Sequence, residues 1–361
     1  MDAFTSAGEP QGRALQFTGS WREYLPIAAS NALLTIVTLG IYRFWATARE
    51  RRYLWSRTEF IDDSLEWTGT GREMFIGFLI VVGILLPFFL FIQFLFPALL
   101  ARGMELAAGV ILAAFYVGLV YLGGVARFRA LRYRLSRTRW HGIRGGSDNP
   151  GWRYGAEYIG RHFVSFITLL LLFPWASAKL WNSRWNGMSF GPLPFEASLT
   201  TSNIYGRWLA LYAVPFLGAI VALIGGVGGF FAAGADGSGI ASLAGIFIGL
   251  FLVFYIVLPL MTLAYFAKFF REAASAMRLG DLTFGFDAGT KDWLKLFLGN
   301  IALAVVTFGF GMFFWGYRTW SFMVRHLHVY GYVDLSDLTQ SRTTAPGEAE
   351  GFADMFDVGA V

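Results

Sequence analysis

The sequence predicts an all-α polytopic membrane protein of about seven transmembrane helices, built from internal repeats, with interfacial amphipathic helices and short extramembrane β-hairpins. Three observations carry that expectation. Of 361 residues, 56% are hydrophobic and 15% charged, whereas a soluble domain carries about 25% charged residues. Too few polar groups remain to cover a water-facing surface, so much of the surface must face lipid. Seven stretches approach the roughly 20 apolar residues that a helix needs to cross hydrocarbon. A short aromatic-led motif also recurs five times along the chain.

Residues 1–14 are polar and glycine-containing, and read as a disordered N-terminal tail. No cleavable signal peptide is expected, because the first apolar run continues into a long span. Residues 15–340 form the repeat-built membrane domain, with spans expected at 24–46, 74–100, 105–126, 158–177, 208–232, 240–265 and 293–315. A turn at Arg102 and Gly103 joins the second and third spans, and the stretch from Ala233 to Gly239 joins the fifth and sixth; both pairs read as helical hairpins. The fourth is short and ends at Pro174, which leaves it either spanning or re-entrant. Residues 341–361 carry Thr-Thr-Ala-Pro-Gly and scattered acids without a helical period, and read as a disordered C-terminal tail.

The repeat opens on an aromatic followed by a small residue: Phe17-Thr-Gly19, Trp67-Thr-Gly69, Trp152-Arg-Tyr-Gly155, Phe195-Glu-Ala197 and Phe286-Asp-Ala-Gly289. Glu23, Glu73, Glu157 and Asp292 follow four of the openings, where an acid early in a helix suits the helix dipole. After each span or span pair comes an Arg- and aromatic-rich segment with apolar residues at three- and four-residue spacing. Phe128, Leu131 and Leu135 share one such face, as do Phe266, Phe269, Phe270 and Met277, and Tyr317, Trp320, Val324 and Leu327. These read as helices lying at the interface rather than as spans running on past the bilayer. Stretches such as 58–67 and 280–286 mix aromatic and β-branched residues with Asp and Gly, and read as short hairpins that pair into a small sheet.

Asn31-Ala-Leu-Leu-Thr-Ile-Val-Thr-Leu-Gly-Ile-Tyr-Arg-Phe-Trp45, running on to Arg49, Arg51, Arg52, Tyr53 and Leu54, resembles the signature of the YjgN-like family of bacterial inner-membrane proteins, a domain of unknown function. Trp67-Thr-Gly69 and the repeat order fit the same family, and the resemblance covers most of residues 15–340. Asn300, Thr307 and Gly309 keep the mutual spacing of Asn31, Thr38 and Gly40, although this copy lacks the Arg-Arg-Tyr-Leu ending. The resemblance implies a multi-pass location in the bacterial inner membrane and brings no reaction, substrate or cofactor.

The chemistry-bearing residues point the same way. There is no cysteine, which excludes disulfides and thiolate sites. His141, His162, His326 and His328 form no metal-binding spacing, since 326 and 328 diverge on a helix. Gly225-Gly-Val-Gly-Gly229 lacks the Lys-Ser or Lys-Thr of a phosphate loop; with Gly245 and Gly249 it reads as a close helix-packing stripe. Neither a catalytic constellation nor a cofactor is expected. Arg49, Arg51, Arg52, Arg127, Arg129, Arg132, Arg134 and Arg137 are the candidate lipid-headgroup contacts. Asn31, Thr38, Asn300 and Thr307 are the candidate central polar positions of a symmetric site. The sequence is read as a membrane scaffold or lipid-contacting protein, the alternative being a transporter or channel for a lipid-like or small apolar substrate. Expected partners are anionic membrane lipids and a protein partner or further copy of the chain, and not nucleic acid. Alternating spans with arginine on the cytoplasmic side place the N-terminus outside and the C-terminus in the cytoplasm.

Overall fold

Each time the chain leaves its helices it returns to a short β-strand, and the returning strand pairs with the strand it set out from. The computed structural model describes residues 14–232, 238–333, 338–347, 350, 351 and 354, with only the backbone described at 222, 230, 232 and 238–243. The expectations for residues 1–13 and for the turn at 233–237 lie outside the described residues.

Strand β1 (Leu15–Phe17) leads into helices α1 (Trp21–Val37) and α2 (Arg43–Ser56), after which β2 (Thr58–Phe60) pairs back on β1 with Glu59 opposite Gln16. Strands β3 (Asp63–Ser64) and β4 (Glu66–Trp67) precede a longer unit. Helix α3 (Gly71–Leu90) runs through a π-helical turn into α4 (Phe96–Ala101), and α5 (Glu105–Arg137) returns to β5 (Thr138–Trp140), the partner of β4. Strand β6 (Ile143–Gly146), helices α6 (Trp152–Ile167) and α7 (Phe173–Trp185), and strand β7 (Ser189–Phe190) repeat the short unit. Strand β8 (Leu193–Ala197), helices α8 (Ser202–Ala232), α9 (Ser238–Leu252) and α10 (Leu258–Ser275), and strand β9 (Met277–Leu279) repeat the long one. A last short unit runs from β10 (Leu282–Phe286) through α11 (Thr290–Val306) and α12 (Trp315–His326) to β11 (Leu327–Tyr330). Strands β4 to β11 form one curled antiparallel sheet in sequence order, and β1–β2–β3 form a smaller one whose first strand packs beside β11.

Each of the five helical excursions is therefore a closed loop, which corrects the expected seven spans. Among the described residues, four helices are long and apolar enough to cross a membrane: Gly71–Ala101, Glu105–Arg137, Ser202–Gly229 and Ala244–Ser275. The stretches expected to span at 24–46, 158–177 and 293–315 are each broken at the middle by residues with positive φ. These are Leu39 and Gly40, Leu169 and Leu170, and Phe308 and Gly309. Helices α1, α6 and α11 have 17, 16 and 17 residues, a rise of about 25 Å, and the chain then turns back. The fourth segment is two helices joined by a turn, and the first and last have the same form. A threonine builds each of the three turns. Thr38 donates to the Leu34 carbonyl and accepts from the Tyr42 amide; Thr168 does so with Val164 and Leu172, and Thr307 with Leu303 and Gly311. At the tips, Leu39 is 94% and Phe308 95% exposed, which suits apolar side chains only where the surroundings are lipid.

Closed excursions also bring residues 15 and 330 to one face, so the expected opposition of outside and cytoplasmic ends does not hold for the described chain. The parity fails because three of the seven segments turn back. The interfacial helices are corrected too. Residues 127–137 continue α5 without a break, and Phe128 and Leu131 are buried against protein rather than in an acyl boundary. Likewise Phe269 is buried on α10, Met277 begins β9, and Trp320 of α12 stacks on Trp55 at 4.1 Å.

The repeat openings have a steric cause. A Cβ at Gly19 would lie 2.6 Å from the Phe17 ring, and one at Gly69 would lie 2.7 Å from the Trp67 ring, because each aromatic folds back over the residue two places on. In the third copy, Trp152 is instead the first residue of a helix, and β6 takes the place of the opening. Glu73 closes a capping box with Thr70, Ser20 caps at the Glu23 amide, and Asp292 accepts from the Gly289 amide. Glu157 lies beyond the first turn and binds Ser183 and Arg161. Helix packing in the fourth unit runs through Gly226, where a Cβ would collide with Ile246, and not through Gly225, Gly245 or Gly249, which have open space.

Candidate functional site

The arginines singled out from the sequence lie on α2 and on the end of α5, and most are held by the protein itself. Helix α5 has 33 residues, a length of about 50 Å against a hydrocarbon core of about 30 Å, so its last turns stand clear of the apolar layer. There Arg132 grips Glu350 with two nitrogens, Nε lying 2.9 Å from Oε2, and also donates to the Asn149 carbonyl at 2.9 Å. Arg129 lies 4.0 Å from the same carboxylate, donates to the Pro150 carbonyl and stacks over Trp152. Arg134 donates from Nε to Asp354 at 2.7 Å, and Arg51 from α2 reaches both the carboxylate and the backbone carbonyl of Asp354. Asp354 is fully buried, a costly position for a carboxylate unless it is paired. Arg137 binds Glu73 at 2.7 Å, and the Tyr133 hydroxyl donates to the other oxygen of that carboxylate. Arg127 stacks over Tyr158. Arg52 is exposed.

Glu350 and Asp354 belong to residues 341–361, of which 341–347, 350, 351 and 354 are described. The described residues run as a strap from the sheet to this arginine cluster. Gln340 bonds the Arg144 amide and the Gly142 carbonyl, Thr343 accepts from the Arg144 guanidinium, and the Thr344 amide donates to Asp148. Ser341 and Glu350 are buried. Scattered acids in a polar tail gave no sign of this. The one available signal was charge complementarity with a helix end carrying five arginines between 127 and 137.

Each of the four central polar positions is bonded within its own hairpin. Asn31 accepts from Arg49 at 3.0 Å and donates to the Ala46 carbonyl, which braces α1 against α2. Asn300 accepts from Arg318 at 2.7 Å, bracing α11 against α12. Thr38 and Thr307 sit at the two tips in the turns described above. The polar residues thus hold each hairpin shut.

A cavity does lie elsewhere, in a place the sequence did not mark. The curled sheet wraps an apolar chamber of about 360 Å³ above the ends of the helices. Its sheet side carries Leu15, Phe60, Trp140, Phe195, Leu279 and Phe284, and its floor is Leu135 of α5, Trp181 and Trp185 of α7, Phe270 and Ala274 of α10 and Met323 of α12. Leu338, at the start of the strap, also lines it. Strand alternation explains the lining, since every second residue of a paired strand points to the same face. Among the described residues, no group of three or more His, Asp or Glu is placed to hold a metal ion.

Long apolar helix pairs, re-entrant pairs with exposed apolar tips and a sheet gathered on one face define a polytopic membrane protein. The chain belongs to a family described as bacterial protein of unknown function, DUF898, whose model matches residues 13–355. It is similar to inner membrane protein YjgN of Salmonella typhimurium strain LT2, with 26% identity over 181 residues, 47% of this chain and 43% of that protein. It is also similar to inner membrane protein YjgN of Escherichia coli K12, with 30% identity over 156 residues, 43% of this chain and 34% of that protein. The matched region thus spans less than half the length of these curated relatives. No solved structure matches the chain. The chain is an inner-membrane protein.

Proposed function

We propose that this protein is a lipid-contacting membrane protein that receives a single acyl chain in the chamber between its sheet and its helix ends. The chamber carries the reading. Its lining is almost wholly apolar, it has about 360 Å³ of space, and it adjoins the helices at the depth where they leave the hydrocarbon. A dry apolar cavity of about 150 Å³ already accepts benzene, and ligand pockets of this kind run from about 300 Å³ upward. The class of molecule that fills such a space beside a membrane is a flexible hydrocarbon chain. Binding rather than turnover is proposed, since the described residues that line it include no acid, base or nucleophile.

Native mass spectrometry of the protein released from nanodiscs tests this. A lysophospholipid or fatty acid should be retained. Ala274→Trp, which fills the floor of the chamber, should reduce retention several-fold while the melting temperature is kept. Equal retention by a folded Ala274→Trp protein would show that the lipid sits elsewhere and overturn the reading.

A further inference from the structure

A carboxylate delivered by the chain's own far end, seated on arginines from two other elements, has the form of a ligand in a site. Arg132 meets Glu350 side-on with two nitrogens, and Arg129 approaches the same group from beside Trp152. Arg51 and Arg134 each donate to the carboxylate of Asp354 and also toward its main-chain carbonyl. The guanidinium fork that takes two carboxylate oxygens takes two phosphate oxygens equally well. Arg129, Arg132 and Arg134 lie in the last turns of α5, a helix long and apolar enough to cross a membrane, and Arg51 reaches the same acid from α2; just beyond the hydrocarbon, phosphate is the prevailing anion. The occupant belongs to none of the eleven strands, so it can leave without breaking the sheet.

We propose that Arg51, Arg129, Arg132 and Arg134 form a binding site for a phosphate-bearing anion, and that Glu350 and Asp354 occupy it as a built-in competitor. The site is separate from the acyl-chain chamber, and a chamber found empty would leave it standing. The strap joins the two places, since Leu338 lines the chamber twelve residues before Glu350. An anionic phospholipid and soluble phosphate share the chemistry that the arginines select, and the experiment separates them.

The chain has no cysteine, so Gly347→Cys accepts a spin label at one place beside Glu350. In nanodiscs of phosphatidylcholine alone the label should report a docked strap. Adding phosphatidylglycerol should mobilise it if the anion is a headgroup, whereas inorganic phosphate in neutral nanodiscs should mobilise it if the anion is soluble. Sodium chloride at matched ionic strength is the control. Glu350→Gln with Asp354→Asn should raise retention of the effective anion several-fold, and adding Arg132→Gln and Arg134→Gln should abolish that gain. Spectra that stay the same in phosphatidylcholine, phosphatidylglycerol and phosphate would make the strap a structural latch and overturn the proposal. So would chloride acting as strongly as phosphate, since that is screening of an ion pair. If the carboxylate variants do not fold, the label on the otherwise unchanged chain still decides.

Discussion

Arg318 donates from Nε to Oδ1 of Asn300 at 2.7 Å, eighteen residues away across the turn of the last hairpin. Arg49 and Asn31 form the same bond across the first, also eighteen residues apart. The middle hairpin carries Arg161 and Lys179 at the matching places, and Arg161 turns to Glu157 instead. A polar cross-brace thus recurs in the two outer copies. Truncating Arg318 to Ala should cost about 1.5–3 kcal/mol of stability, the range for hydrogen bonds to charged groups. Thermal unfolding of Arg318→Ala, Asn300→Ala and the double variant should be non-additive by on the order of 1 kcal/mol. Additive losses would show that the two side chains act independently.

Closed excursions make the topology directly testable. Single cysteines at Glu59, Arg139, Glu196 and Thr283 lie on strands of the same face. All four should react with a membrane-impermeant thiol reagent from one side only, and Gly103→Cys from the other. Arginine density on the strand side predicts that the shared side is the cytoplasmic one. Cysteine at Leu39 or Phe308 should resist the reagent from both sides. Ready labelling of either tip from the side of Gly103 would restore a full crossing.

Acid should weaken the last unit through Asp287. Partial burial alone would raise the pKa of this carboxylate. Its hydrogen bonds from His328 and His326, at 3.0 Å and closer, and their charge outweigh that and hold it below the usual carboxylate range. A depressed folded-state pKa stabilises the fold above the unfolded value of about 3.9, and the gain is lost as pH falls through the folded value. Asp287→Asn should therefore be less stable than the parent at neutral pH. The two proteins should converge in acid below that window. A stability difference that persisted unchanged into strong acid would place the effect elsewhere.

Gly69→Ala places a methyl group 2.7 Å from the Trp67 ring, which lies against Trp55 and under Arg51. Overpacking of this kind costs about 1–3 kcal/mol. A lowered melting temperature with a changed near-ultraviolet tryptophan signal is expected. An unperturbed signal would mean that the ring does not need the space above Gly69.

The long helix pairs were legible because hydrophobic runs of that length have few other uses, and Arg102 with Gly103 marked the first turn between them. The re-entrant turns were not. Leu39, Leu169, Leu170 and Phe308 are apolar residues carrying positive φ, and an apolar residue inside an apolar run reads as more span. Gly40 and Gly309 were the only local hints, and the middle copy has neither. The strands were visible as hairpin stretches, but not their joining into one sheet, because pairing across a helical excursion leaves no local trace. Glu350 and Asp354 were missed for a different reason. A carboxylate in a polar tail shows nothing of the arginines it meets some two hundred or more residues away in sequence.

Pairing of consecutive strands across every excursion has a consequence for how the protein is made. Each finished unit finds its partner strand already waiting, so the sheet grows in the order of translation. The contact of β1 with β11 comes last. A nascent chain stopped after any unit is an open arc that still exposes its chamber wall, and only the completed polypeptide hides it.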